Sequence, residues 1–191
     1  MMEKLLRRAA TDNAVDELVD QLVENMRYTD QSVVYPNTDN CKPDDGVSPD
    51  LFTEAYIGLG KDSERTAINQ YMTQAQMFPT VAQTLMGIGI TEMKHMDHLG
   101  DLIVTLGGKV DRNWNNSKVV YGKDAATALH EAIVSEMAAI YSYEQLIKKL
   151  EIIKTPTGEI CTQLIGKLLA DERYHLTLLI GEQNKLNNNE N

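Results

Sequence analysis

Apolar residues recur at steps of three and four along four stretches, roughly 50–78, 80–107, 123–152 and 156–186, and this spacing predicts four amphipathic helices. The stripe of the second runs Val81, Leu85, Ile88, Glu92, His95, Leu99, Leu102 and Leu106; that of the fourth runs Cys161, Ile165, Leu168, Glu172, His175 and Leu179. Each is apolar except for one Glu-x-x-His pair in its middle. The first stripe, Ile57, Gly60, Glu64, Ile68, Tyr71, Ala75 and Phe78, and the third, Leu129, Ala132, Glu136, Ile140, Tyr143, Ile147 and Leu150, each carry one mid-stripe Glu with a Tyr seven residues later. An ionised group taken out of water without a partner costs several kcal/mol, comparable to the stability of a whole domain, so these glutamates require compensation.

The stretches SERTAINQY and SEMAAIYSY resemble one another, which makes the chain an internal repeat of a helix pair with an approximate twofold relation between halves. Short connections at Pro79 and at Thr155–Gly158 predict antiparallel neighbours. The connection from Gly107 to Gly122 is long enough, at roughly 50 Å extended, to span a helix of roughly 42 Å. It predicts a crossover that sets the second and third helices parallel. Ahead of the bundle, Met2 to Tyr28 reads as an extra amphipathic helix, and Tyr35 to Asp50, dense in Pro, Gly, Asn and Asp, reads as a loop. The expected organisation is an N-terminal helix and loop over 1–48, an all-α four-helix bundle over 49–186, and a flexible tail over 187–191.

Composition narrows the function classes. The 191 residues suit one domain with a sizeable core, and a formal net charge of −10 with no Lys/Arg-rich stripe argues against a nucleic-acid partner. Lys4, Arg7 and Arg8 are not followed by the apolar core of a signal peptide, and no apolar run is long enough to cross a bilayer, so no membrane partner and a cytoplasmic location are expected. Cys41 and Cys161 form neither a zinc pattern nor a disulfide framework, and Cys161 reads as a small core residue.

Four buried glutamates and two histidines are balanced by two divalent cations with the histidines neutral. Carboxylates with imidazole and no thiolate suit iron or manganese. The metal-ligand candidates are Glu64, Glu92, His95, Glu136, Glu172 and His175. At these residues the sequence resembles the ferritin-like superfamily, the group of bacterioferritins, rubrerythrins and manganese catalases, and TEMKHMDHL is similar to the corresponding bacterioferritin segment. The resemblance covers roughly residues 50–185. It implies that Glu92 and Glu172 bridge two metals, that Glu64 and His95 complete one site, and that Glu136 and His175 complete the other. It also implies that Tyr71 and Tyr143, the candidate catalytic residues, hydrogen-bond ligand carboxylates.

The pattern departs from individual families. Ala139 stands where rubrerythrins carry a further carboxylate, no four-cysteine electron-transfer domain is present, and Glu172 completes a second Glu-x-x-His that manganese catalases do not use in full. Met93 matches a haem-ligating Met of bacterioferritin but points about 100° from the metal-facing stripe, so it reads as a helix-contact methionine rather than a haem ligand. His98 and His130 also fall off the stripes. Gly58, Gly60, Gly87 and Gly89 fit either a small-molecule channel or close helix packing. The expected function is an oxidoreductase reacting with hydrogen peroxide or dioxygen, in peroxide removal or ferrous oxidation, supplied by an external electron donor where one is needed. The alternatives are a non-catalytic metal-binding or interaction protein with a structural centre, and iron storage. The stripe on the N-terminal helix predicts a homo-oligomer, most simply a dimer.

Overall fold

The computed structural model describes residues 27–57, 63–110 and 119–189. The expected N-terminal helix, and with it the stripe on which the dimer expectation rests, lies outside the described residues apart from its last two positions. Among the described residues the chain is helical with no strand: α1 (Thr53–Ile57), α2 (Glu64–Met77), α3 (Ala82–Thr105), α4 (Ala125–Leu150) and α5 (Pro156–Asn189), with 3-10 turns at Thr38–Asn40 and Pro49–Phe52.

Local chemistry sets the helix ends. Asp124 caps α4 in a reciprocal box, its Oδ1 accepting from Thr127 N–H at 2.8 Å while its own N–H donates to Thr127 Oγ1 at 3.1 Å. At the end of α3, Gly107 adopts φ +82°. Gly107 N–H donates to Val104 O and Gly108 N–H to Ile103 O, both at 2.9 Å, which closes the helix in a Schellman turn. The expected helix over 50–78 is not continuous. Ser63 is extended (φ −98°, ψ 142°) and its Oγ accepts from Thr66 N–H at 3.3 Å, so α2 starts afresh at Glu64. That places the Glu64 carboxylate in the first turn, where free N–H groups and the helix dipole favour negative charge. At the other end of the chain α5 runs to Asn189, three residues past the end read from sequence.

α2 packs on α3 and α4 on α5, joined by the short connections. The core then fixes the direction of the halves. One apolar cluster joins the C-terminal part of α3 (Leu99, Leu102, Leu106) to the C-terminal part of α4 (Tyr143, Leu146, Leu150) and to Leu164 and Leu168 of α5. The other joins the N-terminal parts of α3 (Leu85, Ile88) and α4 (Leu129, Ala132) to Tyr71 and Leu179. Like ends of α3 and α4 therefore meet, and the two helices are parallel, as the long crossover predicts. Between the clusters lies one polar layer containing Glu64, Glu92, His95, Glu136, Glu172 and His175, all buried. No helix among the described residues is long and apolar enough to cross a membrane.

Candidate metal centre

The layer is built around two imidazole nitrogens. His95 Nδ1 lies 2.9 Å from Glu92 Oε2, 3.1 Å from Glu172 Oε1 and 3.7 Å from Glu64 Oε2. His175 Nδ1 lies 3.0 Å from Glu92 Oε1, 3.2 Å from Glu172 Oε2 and 3.6 Å from Glu136 Oε2. Glu92 and Glu172 each turn one oxygen to each histidine, so the arrangement is two overlapping four-residue groups: Glu64, Glu92, His95 and Glu172, and Glu92, Glu136, Glu172 and His175. A single N–H satisfies one acceptor, not three, and Glu92 Oε1, Glu136 Oε2 and Glu172 Oε1 are buried without a hydrogen-bond partner. Unpaired carboxylate oxygens of this kind, converging with imidazole nitrogens, are donors suited to a hard divalent cation.

Each ring is held from behind by its other nitrogen, and by different means. His95 Nε2 faces Asp171 Oδ2 at 3.1 Å. Burial would raise the Asp171 carboxyl, but the bonds from His95, Lys167 and Thr29 outweigh it and hold it below the usual carboxylate range. Its Oδ1 accepts from Lys167 Nζ at 2.7 Å, Thr29 Oγ1 at 2.7 Å and Asp30 N–H at 2.5 Å, and its Oδ2 from Tyr35 O–H at 3.1 Å. His175 Nε2 instead donates to the Tyr28 carbonyl at 2.7 Å, which also accepts from Thr91 Oγ1 at 3.3 Å.

The repeat explains the difference. Thr91 precedes Glu92 as Asp171 precedes Glu172, and Gly87 stands five residues before Glu92 as Lys167 stands five before Glu172. Where α5 offers a buried Lys–Asp pair, α3 offers a hydroxyl and a bare backbone onto which the Tyr28 ring settles. A Cβ at Gly87 would come within 2.2 Å of Tyr28 Cε2. Gly87→Ala is therefore expected to displace Tyr28 and destabilise the protein by about 1–3 kcal/mol, read as a lowered urea midpoint. An unchanged midpoint would show that the ring has another seat.

The two tyrosines cross between halves. Tyr71 of α2 donates to Glu136 Oε1 on α4, and Tyr143 of α4 donates to Glu64 Oε1 on α2. Each leaves the other glutamate oxygen turned toward a histidine. Burial pushes the carboxyls of Glu64 and Glu136 well above the usual range, and neighbouring carboxylates push them further. For Glu92 burial acts in the same direction, but His175 and His95 outweigh it and hold it low. Glu172 is also held low, against burial and Glu92, by His95 and His175. Burial disfavours charge on the histidines, yet the surrounding carboxylates, Glu92 first, raise both well above the ordinary imidazole value.

Ser63, Glu64, Ala67, Tyr71, Glu92, Ser135, Glu136, Ala139 and Glu172 line a small cavity of about 10 Å3. That is room for about one water. Ala67 and Ala139 stand three residues after Glu64 and Glu136, and their small side chains leave the space.

All six candidate ligands meet in this layer, with Tyr71 and Tyr143 beside them. Met93 and His130 are exposed. His98 stacks on Tyr35 at 4.1 Å between ring centroids, outside the layer. Of the small-residue positions, Gly87 and Gly89 serve packing, a Cβ at Gly89 meeting Met72 and Tyr71 at 3.2–3.3 Å; Gly58 and Gly60 lie outside the described residues. Sequence reasoning missed Asp171, Lys167 and the Tyr28 carbonyl. The available signal was the Lys167/Asp171 pair one helical turn apart beside the fourth stripe.

Comparison with solved structures gives 187 matching chains. Among them is wild-type KatB, a manganese catalase from Anabaena, at TM-score 0.64 and 23% identity over 77% of this chain and 74% of that one. The fold is ferritin-like. No protein-family model matches the sequence, and comparison with curated proteins finds no match. In this ferritin-like bundle the two overlapping groups bring together carboxylate and imidazole donors suited to a dinuclear site, from all four long helices.

Proposed function

We propose that the polar layer holds two iron or manganese ions and that the protein removes hydrogen peroxide. The observation that carries this reading is the doubled ligand set: two imidazole nitrogens, each faced by three carboxylates, with three carboxylate oxygens left unpaired beside a cavity of one small molecule. Glu64, His95, Glu92 and Glu172 would hold one ion, and Glu136, His175, Glu92 and Glu172 the other. Four carboxylates balance two divalent charges. When bound, such a pair supplies the reversible two-electron exchange that converting two hydrogen peroxide molecules to two waters and dioxygen requires. KatB, the ferritin-like neighbour, is a manganese catalase.

The chain's own groups set the conditions. Asp171 and the Tyr28 carbonyl fix which face of each imidazole looks inward. The Tyr71 and Tyr143 hydroxyls hold Glu136 and Glu64 by one oxygen each, beside a cavity with room for about one water. Tyr71→Phe keeps volume and removes one hydroxyl. It is expected to leave metal content near two per chain while turnover changes modestly; loss of a metal would give Tyr71 a larger part.

The test is elemental analysis of the purified protein beside dioxygen evolution from hydrogen peroxide, before and after chelation. About two equivalents of one metal with chelator-sensitive turnover are expected; failure to retain iron or manganese overturns the proposal. Unfolding on chelation without turnover would favour a structural clip. Proton release provides a separate check. Without a cation, burial and neighbouring carboxylates raise the Glu64 and Glu136 carboxyls, and the surrounding carboxylates raise both histidines against burial, so loading divalent ions is expected to release protons. Because all four groups hold protons more tightly than usual, occupancy falls as pH falls. An indicator dye in weak buffer reads the release, and no release would contradict the ligand assignment.

A further inference from the structure

Cys41 and Cys161 are free thiols, both buried and both members of the apolar cluster at one end of the bundle. The two thiols are close enough to act on one another's acidity, Cys161 lowering Cys41 and Cys41 raising Cys161. The backbone explains the meeting. Cys41 closes the 3-10 turn Thr38–Asn40, its N–H donating to Thr38 O at 3.0 Å. The next N–H, that of Lys42, donates to Thr157 Oγ1 at 3.0 Å. Thr157 is four residues before Cys161 on α5, so the two share a helix face and Cys41 is laid over that face. Asp45 secures the loop further, its Oδ2 accepting from Thr157 N–H at 3.0 Å and its carbonyl from Thr155 Oγ1 at 2.8 Å. The sequence offered no reason to pair these cysteines, since nothing in it brings the loop to α5.

We propose that Cys41 and Cys161 form a dithiol site that hydrogen peroxide closes to a disulfide, joining the N-terminal loop to α5. Cys41 is the attacking thiol. It sits on the loop, at 6% exposure against 0% for Cys161, and burial pushes the Cys161 thiol higher, to about 12. The Cys41 sulfur loses its proton and attacks one peroxide oxygen; the O–O bond breaks, giving a sulfenic acid and one water. The Cys161 sulfur then attacks the Cys41 sulfur, forming the S–S bond and expelling the second water. The two thiols lose two electrons and two protons, and the peroxide is reduced to two waters. Burial raises both thiols, so little thiolate is present at neutral pH and closure is slow beside that of a free thiol. The site therefore responds to sustained rather than brief exposure.

Closure of the disulfide needs only hydrogen peroxide as oxidant, so it is testable before and after chelation. Full-length protein, as purified and after chelation, is exposed for hours to continuously generated hydrogen peroxide, denatured, alkylated and analysed by mass spectrometry before and after reduction. The expected result is loss of two hydrogens, a peptide pair linked between Cys41 and Cys161, and reversal by reductant in both preparations. Cys41→Ser and Cys161→Ser should each abolish the linked pair. Full alkylation of both thiols under conditions that oxidise a free-thiol control would overturn the proposal. So would sulfinic acid at either residue without linkage, or disulfides only between chains. Loss of peroxide turnover with the linkage intact would bear on the metal reading alone.

Discussion

Glu172→Ala is expected to empty both metal positions, taking metal content from about two per chain to near zero. Its two oxygens stand 3.1 Å and 3.2 Å from the two histidine Nδ1 atoms, so it belongs to both ligand groups. Removing it leaves each group with three donors and leaves the charge of two cations under-compensated in a low-dielectric layer. Glu64 belongs to one group only. Glu64→Ala should therefore leave Glu92, Glu136, Glu172 and His175 intact and hold about one metal. Elemental analysis of the two variants beside the parent makes the comparison, with circular dichroism to establish that each is folded. Two metals retained in both variants would mean that these glutamates are not ligands.

The second large effect concerns stability and does not require a metal. Asp171→Ala should cost about 3–5 kcal/mol, because it leaves the Lys167 ammonium buried at 2% side-chain exposure without its anion. Thr29 Oγ1, Asp30 N–H, Tyr35 O–H and His95 Nε2 lose an acceptor at the same time. Lys167 Nζ keeps Thr29 Oγ1 at 2.9 Å and the Asp30 carbonyl at 2.6 Å, which solvate the charge without neutralising it. Removing both charges, as in Lys167→Met with Asp171→Leu, should therefore be less damaging than Asp171→Ala alone. Urea unfolding of the three proteins decides; a loss below about 1 kcal/mol for Asp171→Ala would mean that the ion pair contributes little. The pH dependence follows from the lowered Asp171 carboxyl. A carboxyl held below its ordinary 3.8 contributes stability that is fully present above that value and is lost as pH falls below it.

The bundle and the six-residue layer were legible because the signal is periodic. A carboxylate on an apolar stripe is an anomaly visible in one dimension, and four stripes carrying it at matching places leave few arrangements. The connection lengths gave the crossover for the same reason: reach is set by residue count. Asp171 was harder to find. It lies one residue off its stripe, where a charged side chain is usually solvated, and only the approach of the chain around Thr29 to Tyr35 buries it. Tyr28 acts through a carbonyl, which every residue possesses, so no residue type could mark it. The break in the first helix was masked by a stripe that continues in register through Ser63. Cap chemistry at that serine decided the geometry, and periodicity cannot register it.

The Tyr28 carbonyl has a consequence for how the protein is made. It meets His175, 147 residues further along the chain, and Thr29 and Asp30 meet Asp171 in the same way. A nascent chain that ends before α5 carries Glu64, Glu92, His95 and Glu136 but lacks Glu172, His175 and Asp171. Such a fragment lacks one of the two carboxylates shared by both groups and the group that orients His95. Contacts of such long sequence separation form late, after the hairpins that are local in the chain. On the proposed reading, metal capture is thus tied to synthesis of α5, and a polypeptide that stops short of it has no finished centre in which an ion could lodge.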